Sequence, residues 1–224
     1  IVTTDDEFGR SLCQGQKKPL LNGFSTVPQP PNMERVKEQV PQVQLIKSEI
    51  TDQGLCLQVA SPIGDITANT ALMGQFNIEN ILACISTLIA LGFDQQQIQL
   101  AVTGLQPIPG RMEKFKHATH QAEVVVDFAH TEQALRACLT SCQEVTTGKV
   151  WCVFGCGGDR DQGKREGMGR AAEQLADRVV ITDDNPRTES PETIVKNILL
   201  GFFNPEKVSI IHDRLAAIEF ALSQ

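Results

Sequence analysis

Between residues 155 and 187 the chain reads GCGGDRDQGKREGMGRAAEQLADRVVITDDNPR, and the spacing of its charged groups suits ligand capture. A glycine-rich turn carrying Arg160 precedes one helix, and an Asp-Asn-Pro-Arg corner carrying Asp184 and Arg187 follows it. If a strand leads into each corner, both fall on the same edge of a parallel sheet. Two guanidinium forks and a carboxylate around one crevice then fit a ligand bearing both carboxylate and ammonium groups. Such a ligand is an amino acid.

Three further segments carry candidate chemistry. Residues 158–165, GDRDQGKR, nearly spell the phosphate cradle GxxxxGK[ST], but the last position is Arg165, so the hydroxyl that would ligand magnesium is missing. The turn is therefore read as a close backbone approach from which Arg160 projects, against a plain turn with solvated charges. In Asp127-Phe128-Ala129-His130-Thr131 a carboxylate at a strand end is placed to accept ribose hydroxyls, and His130 to reach a phosphate. A structural hydrogen bond is the ordinary alternative for such a histidine. Gly110-Arg111-Met112-Glu113 puts Arg111 at a hinge, as a phosphate or transition-state clamp or as a linker arginine.

The elements that must position these groups follow from periodicity. Residues 43–50, 55–61 and 65–72 have strand-like apolar spacing, separated by turn signals at Asp52-Gln53-Gly54 and Pro62-Ile63-Gly64. Pro28, Pro30 and Pro31 mark an extended loop. Helical spacing over 77–91 ends at Gly92, a natural C′ residue, and a short helix is expected over 94–103. Pro107-Ile108-Pro109-Gly110 breaks the chain, so domains are expected over 1–108 and 109–224. In the second, strands over 122–128, 149–155, 178–183 and 207–212 alternate with helices over 132–145, 164–176, 190–202 and 213–223. Ser190 and Asp213 are N-caps and Pro191 an N1 residue. Strict alternation implies an α/β fold, a doubly wound, mostly parallel, Rossmann-like sheet with helices on both faces. The strand 122–128 is expected to be buried.

Composition removes several classes. A net charge of −7 with no basic run argues against general nucleic-acid binding. The longest apolar stretch, Ile78 to Leu91, is interrupted by polar residues and too short to span a bilayer. The 7 cysteines lack CxxC spacing and read as reduced thiols of a cytoplasmic protein. A metal site from Cys152, Cys156 and His130 lacks a fourth ligand, and His117 and His120 read as surface residues. No metal ligands are assigned within the chain.

Taken together, GQFNIENILA (74–83), PGRME (109–113), VVVDFAHT (124–131), VFGCGGDRDQGKR (153–165) and TDDNPRTE (182–189) closely resemble the Mur ligase family. The resemblance implies ATP-dependent amide formation in peptidoglycan precursor synthesis, with ATP and Mg2+ as cofactors. The DNPR segment implies that meso-diaminopimelate, rather than lysine, is joined to UDP-N-acetylmuramoyl-L-alanyl-D-glutamate. By this likeness residues 1–108 are the end of a central ATPase domain with β-rich segments, and 109–224 most of an amino-acid-binding domain. Asn77 and Asn80 would lie against adenine and Asp127 on the ribose, while Arg111 and His130 approach the phosphates as catalytic groups. Arg160, Asp184, Asn185, Pro186 and Arg187 would hold diaminopimelate. A monomeric, cytoplasmic enzyme is implied.

The departures are specific. The family's GTNGKT cradle, its carbamylated lysine and its UDP-binding domain are not in these residues, and DYAHTP stands as DFAHTE, with Glu132 in place of proline. The GKGHE segment of the amino-acid pocket is expected after Gln224, together with the rest of the sheet, and the chain by itself is not expected to turn over. The alternatives are a relative that adds lysine or another amino acid, a folylpolyglutamate synthase relative, or a non-catalytic amino-acid-binding module. The flanking coding sequence separates enzyme from module: GTNGKT upstream and GKGHE downstream are expected, and native start and stop codons at residues 1 and 224 would overturn the enzyme reading.

Overall fold

The structure, a computed structural model, describes residues 1–7, 9, 23–27, 43–51, 53–116 and 122–224. Cys13, Pro28, Pro30, Pro31, Asp52, His117 and His120 lie outside those residues. The chain divides into two compact units, Ile1–Pro107 and Ile108–Gln224.

In the first unit five strands, β1 (Val2–Thr3), β2 (Gly23–Ser25), β3 (Val43–Thr51), β4 (Gly54–Ala60) and β5 (Ile66–Thr70), form one sheet in chain order. The first three are mutually parallel, and β3, β4 and β5 form an antiparallel meander. Side-chain alternation explains the layering. Leu55, Leu57, Val59, Ile66 and Ala68 are buried with Ile78, Ile81, Leu82 and Ile85 of α1 (Phe76–Ala90) and Ile98 and Val102 of α2 (Gln95–Thr103). Gly92 closes α1 at φ +87°, with its N–H on Ile89 O and the Phe93 N–H on Leu88 O, the paired pattern of a Schellman cap. Asp94 and Gln97 cap α2 reciprocally.

The second unit opens with a two-stranded antiparallel ribbon, β6 (Glu113–Lys116) and β7 (Glu123–Val126), braced by Lys114–Glu123 at 2.9 Å. This corrects one expectation. The strand at 122–128 is not buried, and its hydrogen-bonded partner is β6 rather than a strand of the parallel sheet; Val126 is 43% exposed. β6 itself was not foreseen, because Lys-Phe-Lys after a hinge resembles a linker.

After α3 (Glu132–Val145), the strands β8 (Trp151–Phe154), β9 (Arg178–Ile181) and β10 (Val208–Ile210) form a parallel sheet in the order β10-β9-β8. Register places Cys152 beside Val179 and Phe154 beside Ile181, so all four face one side. There they pack with Leu135 and Leu139 of α3, Met168, Ala171 and Ala172 of α4 (Gly163–Leu175), and Ile194 and Ile198 of α5 (Pro191–Leu199). The other side belongs to α6 (Arg214–Leu222), whose Phe220 ring meets Trp151 edge-on at 6.0 Å. Helices on both faces of a parallel sheet make the expected doubly wound α/β architecture. Asp213 caps α6 through the Ala216 N–H at 2.7 Å. Ser190 precedes α5 without capping it, because its hydroxyl is taken by the Glu192 carboxylate.

The glycines inside α4 serve packing. A Cβ at Gly169 would stand 2.2 Å from Ile198 O. Alanine normally stabilises a helix relative to glycine by about 1 kcal/mol, but here the added methyl has no room. Gly169→Ala is therefore expected to destabilise the full-length protein by about 1–3 kcal/mol in a denaturant titration. Gly148→Ala, whose Cβ would meet nothing nearer than 3.7 Å, should stay within about 0.5 kcal/mol. A neutral Gly169→Ala would contradict the packing account.

Candidate functional site

The carboxyl ends of β8 and β9 release two loops that lie directly on one another. Contact requires the glycines: a Cβ at Gly155 would fall 2.1 Å from Thr182 O, and one at Gly158 would fall 1.8 Å from Pro186 O. With the side chains absent, the Gly158 N–H donates to Asn185 O at 2.9 Å, and Arg187 Nη1 donates back to Gly158 O. The Asn185 side chain accepts from the Arg187 N–H at 3.3 Å, which closes an Asx turn around Pro186. The loop joint thus brings together Asp184, Asn185, Pro186 and Arg187, all of β9's loop, with the glycine turn that bears Arg160. Arg160, Asp184, Asn185 and Arg187 are solvent-exposed and Pro186 half-buried.

Two backbones at this joint are in the left-handed region although neither is glycine: Asp159 at φ +50° and Arg187 at φ +52°. Such residues hold that conformation only when their surroundings over-determine it. The Asp159 carboxylate accepts from the Thr188 N–H at 3.1 Å and from the Thr188 hydroxyl at 2.8 Å, while the Asp159 N–H donates to Glu189 Oε1 at 2.7 Å. Glu189 is gripped in turn by Arg165, Nη1 to Oε2 at 2.8 Å and Nη2 to Oε1 at 2.9 Å, and Nη2 reaches Gly157 O at 3.2 Å. The Arg165 side chain is fully buried and that of Glu189 is 15% exposed. The bidentate guanidinium, and then the Asp159 N–H, hold the Glu189 carboxyl down at about 2, and the same pairing raises Arg165.

Arg165 and Glu189 were missed in the sequence, where Arg165 counted only as the wrong residue for a phosphate cradle. A signal existed. Arg165 is the third residue of α4, at the positive end of the helix dipole, where a cation is disfavoured without an anionic partner. A second unforeseen pair lies one strand over: His212, beyond β10, meets Asp183 Oδ1 at 2.8 Å, and that carboxylate raises the imidazole pKa.

Asp127, beyond β7, uses both carboxylate oxygens on backbone: Oδ2 accepts from the Met112 N–H at 2.9 Å and Oδ1 from the Ala129 N–H at 2.8 Å. The buried Met112 sits at φ +48°, so this carboxylate fixes the hinge turn. Arg111 lies over the exposed Phe128 ring at 4.9 Å. His130 Nδ1 is 3.1 Å from Phe128 O, an acceptor, so Nδ1 carries the proton and Nε2 is the other ring nitrogen left for a ligand. Half-buried Asp127 and exposed Arg111, Phe128 and His130 therefore form one cluster at the start of the second unit. Asn77 and Asn80 belong to the first unit, where the Asn80 amide donates to Asn77 Oδ1 at 2.9 Å and the Asn77 amide to Met73 O at 2.7 Å.

Cys152 and Cys156, on the β8 strand and the loop after it, are buried thiols. Burial pushes Cys152 up to about 12 and Cys156 to about 11. Among the described residues no group of three or more His, Cys, Asp or Glu is placed to hold a metal ion, and no helix is long and apolar enough to cross a membrane.

Residues 110–224, from the hinge turn through α6, match the Mur ligase, glutamate ligase domain. The chain belongs to the Mur ligase family. It is 40% identical over 222 residues to the UDP-N-acetylmuramoyl-L-alanyl-D-glutamate–2,6-diaminopimelate ligase of Vibrio parahaemolyticus, a match covering 99% of this chain and 43% of the relative. A solved ligase of the same description aligns at 32% identity and TM-score 0.61, over 98% of this chain and 44% of its own. The UDP-N-acetylmuramoylalanyl-D-glutamyl-2,6-diaminopimelate–D-alanyl-D-alanyl ligase of Acinetobacter baumannii shares the fold, with TM-score 0.68 at 18% identity over 99% of this chain and 44% of that one. The chain thus spans less than half the length of the Mur ligases it matches.

The ion pair makes a pH prediction. Glu189 has a depressed pKa in the folded state, so its contribution is present above its ordinary value of 4.5 and is lost as the pH falls toward about 2. The melting-temperature gap between the unaltered full-length protein and Glu189→Gln should be full above that window and shrink through it. A gap that stays constant across the window would contradict the assignment.

Proposed function

We propose that this chain is the catalytic-domain tail and amino-acid-binding domain of an ATP-dependent ligase that joins meso-diaminopimelate to UDP-N-acetylmuramoyl-L-alanyl-D-glutamate. Residues 1–108 are then the end of the central ATP-binding domain and 109–224 the amino-acid-binding domain, in a monomeric cytoplasmic enzyme. The observation that carries the reading is the loop joint, which gathers Arg160 and Arg187 with Asp184 and Asn185 at the carboxyl edge of a parallel sheet. The likeness to the Vibrio ligase supports the same substrate.

The chemistry fits these side chains. Guanidinium forks bind carboxylates with directional, paired hydrogen bonds, and Asp184 offers a partner for an ammonium group. Diaminopimelate carries a second carboxylate where lysine has none, so a pocket built on arginines leaves a charge unmatched when lysine enters. When bound, ATP would supply the phosphoryl group that activates the substrate carboxyl group, and the incoming amine would attack the carboxyl carbon with release of inorganic phosphate. Arg111 and His130 suit phosphate oxygens, and Asp127 retains lone pairs for ribose hydroxyls after its two backbone bonds. Asn77 and Asn80 suit an adenine edge.

The full-length protein, assayed for phosphate release with each amino acid, should use diaminopimelate and discriminate against lysine. Arg187→Ala should weaken diaminopimelate use by roughly ten- to a hundredfold, the range for losing a charged hydrogen-bonding group. Equal use of lysine by the unaltered protein would overturn the pocket assignment, and amino-acid binding without any ATP-dependent product would favour a non-catalytic module.

A further inference from the structure

The buried pair Arg165–Glu189 is poorly explained by stability alone. Removing an arginine and a carboxylate from water costs free energy that their mutual attraction often fails to recover. Here the guanidinium is also incompletely satisfied: Arg165 Nε is buried without a hydrogen-bond partner. An apolar pair of similar volume would fill the space without that orphan donor. What such a pair would not do is hold the two loops in register.

The connections of Glu189 show what is held. Its Oε1 accepts from both Arg165 and the Asp159 N–H. Asp159 adjoins Arg160, and Glu189 follows Arg187 by two residues. The Thr188 contacts with Asp159 complete a closed set between the same two loops. Of the joint's two non-glycine left-handed backbones, Asp159 belongs to this set and Arg187 adjoins it at Thr188. Arg165 Nη2 also fastens Gly157 O, just before the glycine that touches Pro186.

We infer that Arg165 and Glu189 are positioning residues that set the placement of Arg160 and Arg187, and so the affinity and selectivity for a dicarboxylic amino acid, without touching it. The inference rests on the amino-acid-pocket reading proposed above. Geometry makes arginine specific at position 165. A planar fork serves both Glu189 oxygens and a backbone carbonyl together, whereas the ammonium of lysine is a single point charge on a flexible stem. Lysine at 165 keeps the charge and loses the register.

The test uses the full-length protein with Arg165→Lys, Glu189→Gln and, as a ligand-contact control, Arg160→Ala. Arg165→Lys and Glu189→Gln are each expected to raise KM for diaminopimelate on the order of tenfold, with kcat and KM for ATP changed less than about twofold. Preference for diaminopimelate over lysine should fall in parallel. A thermal melt accompanies each variant. If Arg160→Ala leaves KM for diaminopimelate unchanged, the pocket reading itself is wrong. If Arg160→Ala raises it while the two positioning variants do not, the pocket stands and the positioning inference falls. The inference also falls if the variants unfold, or if they lose kcat and both KM values together, since the pair is then merely structural.

Discussion

Two loops meet backbone to backbone at the ends of β8 and β9, and the rest of the candidate site depends on that contact. It exists because Gly155 and Gly158 present no side chain to Thr182 O and Pro186 O. Close approach alone would leave carbonyls and amides unpaired in a partly dry joint. The Gly158–Asn185 bond and the Arg187–Gly158 bond satisfy them, and Arg165 with Glu189 closes the joint from below. The two loops of the proposed ligand-binding surface are thereby fastened to a parallel sheet.

Charge is used in two ways around this joint. Arg165 is spent internally, with its field absorbed by Glu189, while Arg160 faces solvent. A protein of net charge −7 thus presents exposed guanidinium groups at this joint without being basic overall. The hinge cluster repeats the division. Asp127 is committed to the Met112 and Ala129 amides, and Arg111 rests on an aromatic face with its charge still available. In both places a carboxylate bound to backbone N–H groups fixes a strained turn, and an arginine beside it stays exposed.

Helix packing explains why the segment between the two loops is so rich in glycine. Gly169 and Gly201 let α4 and the end of α5 approach until Cβ atoms would overlap carbonyls, and Gly167 lies against Glu132 of α3. Glu132, the departure from the family's proline, also pairs with Arg136 on its own helix. The low intrinsic helix propensity of these positions is offset by tertiary contact.

The sequence by itself determined the alternation of strands and helices, the break near residue 108, the Gly92 and Asp213 caps, and the two corners that carry Arg160 and Arg187. Those features are local: apolar period, turn chemistry and cap residues are written within a few positions of where they act. Family membership was legible for a similar reason, since five short motifs in order identify it. What tertiary structure alone decided is non-local. The antiparallel pairing of β7 with β6, the solvent exposure of a valine-rich strand, the commitment of both Asp127 oxygens to backbone, and the Arg165–Glu189 pair across 24 positions all depend on which surfaces meet. A periodicity reads one face of one element. It cannot state which partner covers that face, and it is the partner that turned Arg165 from a failed phosphate-loop residue into the anchor of the joint.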